Sequence, residues 1–286
     1  MGITWNRKNT KPGMDYIETE SLPYLSFPIL EKSGLVYQGF STRFGGVSEG
    51  KFSTLNFTFT RGDNPDHVME NYRRMGMALG ADINRMVLSY QTHTTNVRLV
   101  TEKDAGKGII KERDYKDVDG LITNVPGITL VTFYADCVPL YFLDPVHKAI
   151  GLSHSGWRGT VKRMGNMTLK KMEEAFGTKA CDVIACIGPS ICKDCYEVGA
   201  EVAREFKDAF LFKDSKKILF EKEDGKFLLD LWKANEIILK EAGVRPENIE
   251  ITDICTHCNP DYLFSHRTFG NERGNLAAFM GLKENE

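Results

Sequence analysis

The stretch Tyr134-Ala-Asp-Cys-Val-Pro-Leu-Tyr-Phe-Leu-Asp-Pro145 joins two apolar, β-like segments, 128–134 and 139–143, and puts Asp136 and Cys137 at their junction. Its aromatic and branched residues read as strand. A few residues on, Ile150-Gly-Leu-Ser-His-Ser-Gly-Trp-Arg-Gly-Thr160 repeats the device: a strand over 149–153 ends at His154, before a glycine-bearing turn. A third polar intruder, His93, lies in Ser89-Tyr-Gln-Thr-His-Thr-Thr-Asn-Val97, between β-like segments 86–90 and 96–100. Side chains at strand ends and junctions can converge at one sheet edge. Two imidazoles and one thiolate are also the ligand number of a catalytic zinc site that leaves its fourth position open. The same residues equally read as hydrogen-bonded loop histidines and a packed cysteine.

Further strands are expected at 35–41 and 52–59, separated by the turn Arg43-Phe-Gly-Gly-Val-Ser-Glu-Gly50, and at 183–187, 218–221, 251–254 and 275–281. Asn64 as N-cap, Pro65 at the first helical position, an apolar stripe at Val68, Tyr72, Met75 and Leu79, and Gly80 as stop define one helix. Others are expected at 160–177, 200–210 and 229–242. Hairpins mixed with αβ units predict an α/β protein with mixed β-sheets flanked by helices rather than a doubly wound parallel sheet. No linker or repeat divides the 286 residues, so they read as one domain, 1–286, with 1–20 a loosely packed N-terminal segment.

Thirty-seven Lys plus Arg against 39 Asp plus Glu give a formal net charge of -2, so no basic excess suggests nucleic acid or a membrane surface, and partners must be sought locally. The polar start has no signal-peptide core, Met1-Gly2 lacks the rest of a myristoylation motif, and no apolar run reaches membrane-span length, so a cytoplasmic protein is expected. Seven cysteines fit reduced thiols or metal ligands better than a disulfide framework.

The ordered segments Gly39-Phe-Ser-Thr-Arg-Phe-Gly-Gly-Val-Ser48, Leu55-Asn56, Gln91-Thr-His93, Asp119-Gly-Leu-Ile-Thr123, Ala135-Asp-Cys-Val-Pro-Leu140, His154-Ser-Gly-Trp-Arg-Gly-Thr160, Ile187-Gly-Pro-Ser-Ile191, Cys195-Tyr-Glu-Val198 and Phe264-Ser-His-Arg267 together resemble the YfiH-type, or laccase-domain, family. That family carries an old multicopper polyphenol oxidase label. Its members are described as zinc-containing purine nucleoside phosphorylases that also deaminate adenosine, and some as peptidoglycan editing factors. The resemblance implies an α+β sandwich of the type shared with a deamidating toxin, and one zinc held by His93, Cys137 and His154. It also implies phosphorolysis of adenosine, inosine or methylthioadenosine to the base and ribose 1-phosphate, with adenosine deamination. Thr94 departs from the glycine often found after the first histidine.

On this reading Arg43, with Gly45 and Gly46, is expected to hold phosphate, and Arg158 to bind an anion at a helix start. Trp157, Phe44 or Tyr141 would offer the purine a flat wall, Asn56 would line the substrate site, and Asp136 would orient a ligand, handle a proton or cap a turn. His257 and His266 are secondary candidates. Copper would enter the His-Cys-His set only adventitiously: six histidines without a His-x-His pair do not build a multicopper oxidase. The pairs Cys192-Lys-Asp-Cys195 and Cys255-Thr-His-Cys258 have zinc-site spacing, yet two pairs so far apart are expected not to meet. Two other classes remain: a cysteine amide hydrolase with Cys137 as nucleophile and His154 or His93 as base, and a zinc-stabilised module that binds without catalysis.

Overall fold

The computed structural model describes residues 3–9 and 13–284. The Met1-Gly2 reading and residues 10–12 of the N-terminal segment lie outside the described residues. In chain order the strands are β1 Asp15–Ile17, β2 Tyr24–Ser26, β3 Val36–Ser41, β4 Met86–Leu88, β5 Val97–Leu99, β6 Gly120–Thr123, β7 Thr129–Tyr134 and β8 Val138–Asp144. There follow β9 Ala149–Ser155, β10 Ile184–Ile187, β11 Glu197–Val198, β12 Leu219–Glu221, β13 Phe227–Leu229, β14 Ile249–Ile251 and β15 Leu276–Leu282. The helices are α1 Pro28–Glu31, α2 Pro65–Leu79, α3 Trp157–Val161, α4 Met164–Phe176, α5 Ala200–Ala209, α6 Phe212–Ile218, α7 Leu231–Glu241 and α8 His266–Phe269.

Two mixed six-stranded sheets, β1-β2-β3-β15-β7-β4 and β14-β10-β8-β9-β6-β5, stack face to face, and a small sheet β11-β13-β12 lies beside them. Strand alternation explains the continuous apolar runs, because each sheet buries both faces. In β8, Tyr141 and Leu143 enter the core between the sheets, while Val138, Leu140 and Phe142 face Leu169 and Met172 of α4 and Ile238 of α7. In β15, Leu276, Ala278 and Met280 enter that same central core, and Ala277 and Phe279 meet Val68, Tyr72 and Met75 of α2. The order is therefore helix, sheet, sheet, helix, as expected for mixed sheets flanked by helices.

α2 begins and ends where its sequence says: Asn64 Oδ1 accepts the Asp66 N–H, and Gly80 is left-handed at φ 66°. Elsewhere the expectations need correction. The single helix expected at 160–177 is two, α3 and α4, because Arg163 turns left-handed at φ 64° and donates to Glu241 Oε2 and the Ala209 carbonyl. The strand expected at 52–59 is a loop with only one bridge, Ser48 to Thr54. Side chains hold it: Asn71 Nδ2 donates to Asn56 O, and the Tyr72 hydroxyl to Phe57 O. Strands β1, β2, β6, β11 and β13 and helices α1, α6 and α8 have no counterpart among the expected segments. The N-terminal segment is not loose where described: Arg7 pairs with buried Asp253 at 2.9 Å, Gly13 N donates to the same carboxylate, and Met14 is fully buried.

Candidate metal centre and arginine-lined cavity

Residues 135–137 are where the chain leaves the first sheet at β7 and enters the second at β8. Asp136 makes the crossing left-handed at φ 87°. Its buried carboxylate accepts from the Thr256 hydroxyl at one oxygen and from the Arg267 N–H at the other, both at 2.6 Å. It thus braces the crossing that presents Cys137, in keeping with the ligand-orienting role among those expected of it, and it also lines the cavity into which the centre opens. His154, in β9, sits opposite Pro139 of β8, beside the crossing. His93 reaches the same place from loop 89–96, a second crossing between sheets, at φ 65°.

One carboxylate organises both histidines. Asp119 accepts His154 Nδ1 at 2.8 Å, the backbone N–H groups of Thr92, His93 and Thr94, and the Thr94 hydroxyl. Thr94, the departure from the family's glycine, is therefore a further donor to the brace. Holding Nδ1 leaves His154 Nε2 for the centre. The ligand atoms of His93, Cys137 and His154 lie within 4.8 Å of one another, with Cys137 Sγ 4.0 Å from His93 Nε2. Gly156 permits the approach: a Cβ there would stand 2.9 Å from Cys137 Sγ and 3.1 Å from His93 Cδ2. Sequence reasoning missed Asp119 and Gly156 as site residues, although both fall in the segments that carried the resemblance.

Burial raises the Cys137 thiol, but His154 and His93 outweigh it and bring it down to about 6. Burial lowers His154, and the Cys137 sulfur and Asp119 carry it up to about 9. The protein thus favours thiolate beside imidazolium, a donor set ready to exchange its proton for a cation. Two imidazoles and a thiolate, one imidazole fixed by a carboxylate, fit zinc.

The centre opens into a cavity of about 760 Å³ lined by Phe59, Tyr90, Phe133 and Trp157 among its apolar walls and by five arginines, Arg61, Arg113, Arg158, Arg267 and Arg273. Trp157 and Arg158 are present as expected, the guanidinium 4.3 Å from the indole. Arg273 is 9% exposed, and its Nε is buried without a partner. Burial lowers its guanidinium to about 10. His266 also lines the cavity, whereas His257 bonds the Thr268 hydroxyl.

Four expected substrate contacts do not line this cavity, nor do Phe44 and Tyr141. Arg43 spends its guanidinium on the Ser53 and Pro260 carbonyls and packs on the Phe264 and Phe269 rings. Gly45 and Gly46 are required by close packing, since Cβ atoms there would meet Leu22 and the Thr54 carbonyl at 2.5 and 2.1 Å. Buried Asn56 binds Thr58, Asp63 and Asn275. These residues shape the loops behind the site. A further correction concerns the two C-x-x-C pairs, which do meet: Cys192, Cys195, Cys255 and Cys258 form a second cluster within 4.8 Å.

Residues 37–283 match the family model described as multi-copper polyphenol oxidoreductase laccase. The chain belongs to this family. It is 35% identical to the purine nucleoside phosphorylase YlmD of Bacillus subtilis over 253 residues, 87% of this chain and 89% of the relative. It is 34% identical to the adenosine deaminase RL5 of an unknown prokaryotic organism, over 83% of this chain and 90% of that one. The crystal structure of YlmD from Geobacillus stearothermophilus superposes with a TM-score of 0.88 at 30% identity, covering 96% of this chain and all of the other. As in the family's structures, mixed sheets carry helices on their outer faces. No helix among the described residues is long and apolar enough to cross a membrane.

Proposed function

We propose that this family member is a zinc-dependent purine nucleoside enzyme, catalysing phosphorolysis to base and ribose 1-phosphate and deamination of adenosine in one cavity. The observation that carries the reading is the convergence of His93, Cys137 and His154 at the wall of a cavity with five arginines. Zinc held by those three side chains would supply a Lewis-acidic positive charge at the reacting edge of the purine. Asp119 fixes both histidines, and Asp136 fixes the crossing that presents Cys137.

The phosphate role passes from Arg43 to the cavity arginines. Arg273 is the foremost of them, because its unpartnered Nε needs an acceptor, and Arg61 lies beside it, donating to the Arg273 carbonyl. Trp157, Phe133 and Tyr90 offer flat apolar surface to the base. An oxyanion of phosphate held there would attack C1′ of the ribose as the bond to N9 breaks. Copper oxidase chemistry has little support from ligand number: the cavity holds three imidazoles, His93, His154 and His266.

The Asp119-His154-Cys137 chain favours a second reading, an amide hydrolase with Cys137 as nucleophile. Zinc content combined with a nucleoside turnover screen, with and without phosphate, separates the two. Stoichiometric zinc with phosphate-dependent release of base supports the nucleoside reading. A protein whose zinc content is unchanged by Cys137→Ala and that turns over no nucleoside overturns it.

A further inference from the structure

Cys192 and Cys255 stand 63 residues apart in sequence, yet their backbone and sulfur meet: Cys192 N–H donates to Cys255 Sγ at 3.2 Å. Cys195 Sγ and Cys258 Sγ lie 3.4 Å apart. All four thiols are free, and all four sulfurs are mutually within 4.8 Å. Thiolates about 2.3 Å from a common tetrahedral centre would stand roughly 3.8 Å from one another, which this cluster approximates. A disulfide instead needs sulfurs about 2.05 Å apart. Cys192 and Cys255 are buried against Tyr196 and Trp232, while Cys195 and Cys258 are half-buried. Lys8, which pairs with Asp194 at 3.5 Å, lies close enough that, although burial lowers its ammonium, Cys192 and Cys258 raise it.

We propose that Cys192, Cys195, Cys255 and Cys258 bind one zinc in a closed, structural site separate from the His93, Cys137 and His154 centre. Binding releases the four thiol protons to solvent and leaves two net negative charges, which Lys8 partly offsets. The metal clips together the two loops that grip the crossing beside Cys137. Thr256 N donates to Ser190 O, Ile191 N donates to the Asp136 carbonyl, and the Thr256 hydroxyl donates to the Asp136 carboxylate. A structural zinc is thereby coupled through Asp136 to the geometry of the active centre.

The test is metal analysis of the full-length protein purified in reducing buffer. Close to two zinc equivalents are expected, falling to about one in Cys192→Ser and in Cys258→Ser. Cys137→Ala should also keep about one, and cobalt in that variant should show strong sulfur-to-metal charge-transfer absorption. If the nucleoside reading fails and the His93, Cys137 and His154 centre holds no metal, the unaltered protein should carry about one equivalent, still lost in the two serine variants and still kept in Cys137→Ala. Should the serine variants not fold, alkylation of the unaltered protein decides: the four thiols should be protected until a strong chelator is added. A metal-free Cys137→Ala, equal alkylation with and without chelator, or a mass deficit of two hydrogens per cysteine pair would overturn the proposal.

Discussion

Asp119 Oδ1 accepts His154 Nδ1 at 2.8 Å and the backbone N–H of His93 at 3.0 Å, so a single carboxylate oxygen sets the position of two candidate metal ligands, one arriving on β9 and the other from loop 89–96. In Asp119→Asn the amide would turn a donor toward at least one of these donors. Zinc affinity should fall by roughly 10–100-fold, as measured by competition with a chromophoric chelator. Unchanged affinity would reduce the carboxylate to a brace for loop 89–96.

The three ligands themselves make the sharper case. His93→Ala, Cys137→Ala and His154→Ala should each lose the zinc of this centre, leaving only the equivalent held by the four-cysteine cluster. Retention of both equivalents in all three variants would remove the metal centre from the account.

Gly156→Ala separates packing at the ligands from folding. Gly156 has φ -67° and ψ 176°, which alanine adopts freely, so the backbone is not strained. The new methyl meets Cys137 Sγ and His93 Cδ2 instead. Thermal stability should change little while zinc affinity drops at least about tenfold, roughly 1.4 kcal/mol. Equal loss of both would mean that the loop, rather than the ligand set, is disturbed.

The parts of this molecule legible in sequence were those written locally. α2 carries its cap, its stripe and its stop in consecutive residues, and β7, β8 and β9 carry their alternation. The candidate metal ligands stand out because each interrupts such a pattern, but a packed cysteine with loop histidines fits that pattern equally well, and only the family resemblance favours a metal. What failed depended on partners far along the chain. Residues 52–59 have strand composition, but Asn71 and Tyr72 capture their carbonyls and Asn275 takes the Asn56 side chain. The split at Arg163 is fixed by Glu241 and Ala209, and the meeting of the cysteine pairs by the Ser190–Cys255 bridge. Arg43 looked like a phosphate residue because glycine and arginine in one turn suit an anion, whereas the carbonyls it serves come from elsewhere in the sequence.

Asn56→Ala tests the corrected loop. Its amide donates to Thr58 O and the Asp63 carboxylate, and its carbonyl accepts from Thr58 N and Asn275 N, all at buried or half-buried positions. Removing it leaves these groups unpaired and should cost about 2–4 kcal/mol in a urea titration. The KM for nucleoside should stay within about twofold, since the side chain does not line the cavity. A large rise in KM with little loss of stability would return Asn56 to the substrate site.

On the proposed reading Arg273 takes the anion role expected of Arg43, and paired variants decide between them. Arg43→Ala removes bonds to Ser53 and Pro260 and the packing on Phe264 and Phe269, so stability should fall by about 2–4 kcal/mol with the phosphate KM nearly unchanged. Arg273→Lys keeps a charge but loses the guanidinium fork and its Nε donor, and Arg61→Ala removes the neighbouring charge. Each should raise the phosphate KM roughly tenfold or more, equivalent to a charge-assisted hydrogen bond of about 1.5–3 kcal/mol. Adenosine deamination consumes no phosphate and should change much less at constant zinc content. If instead Arg43→Ala alone raises the phosphate KM while Arg273→Lys and Arg61→Ala leave it unchanged, the anion site lies in the turn 43–46 and the cavity arginines serve another part of the substrate.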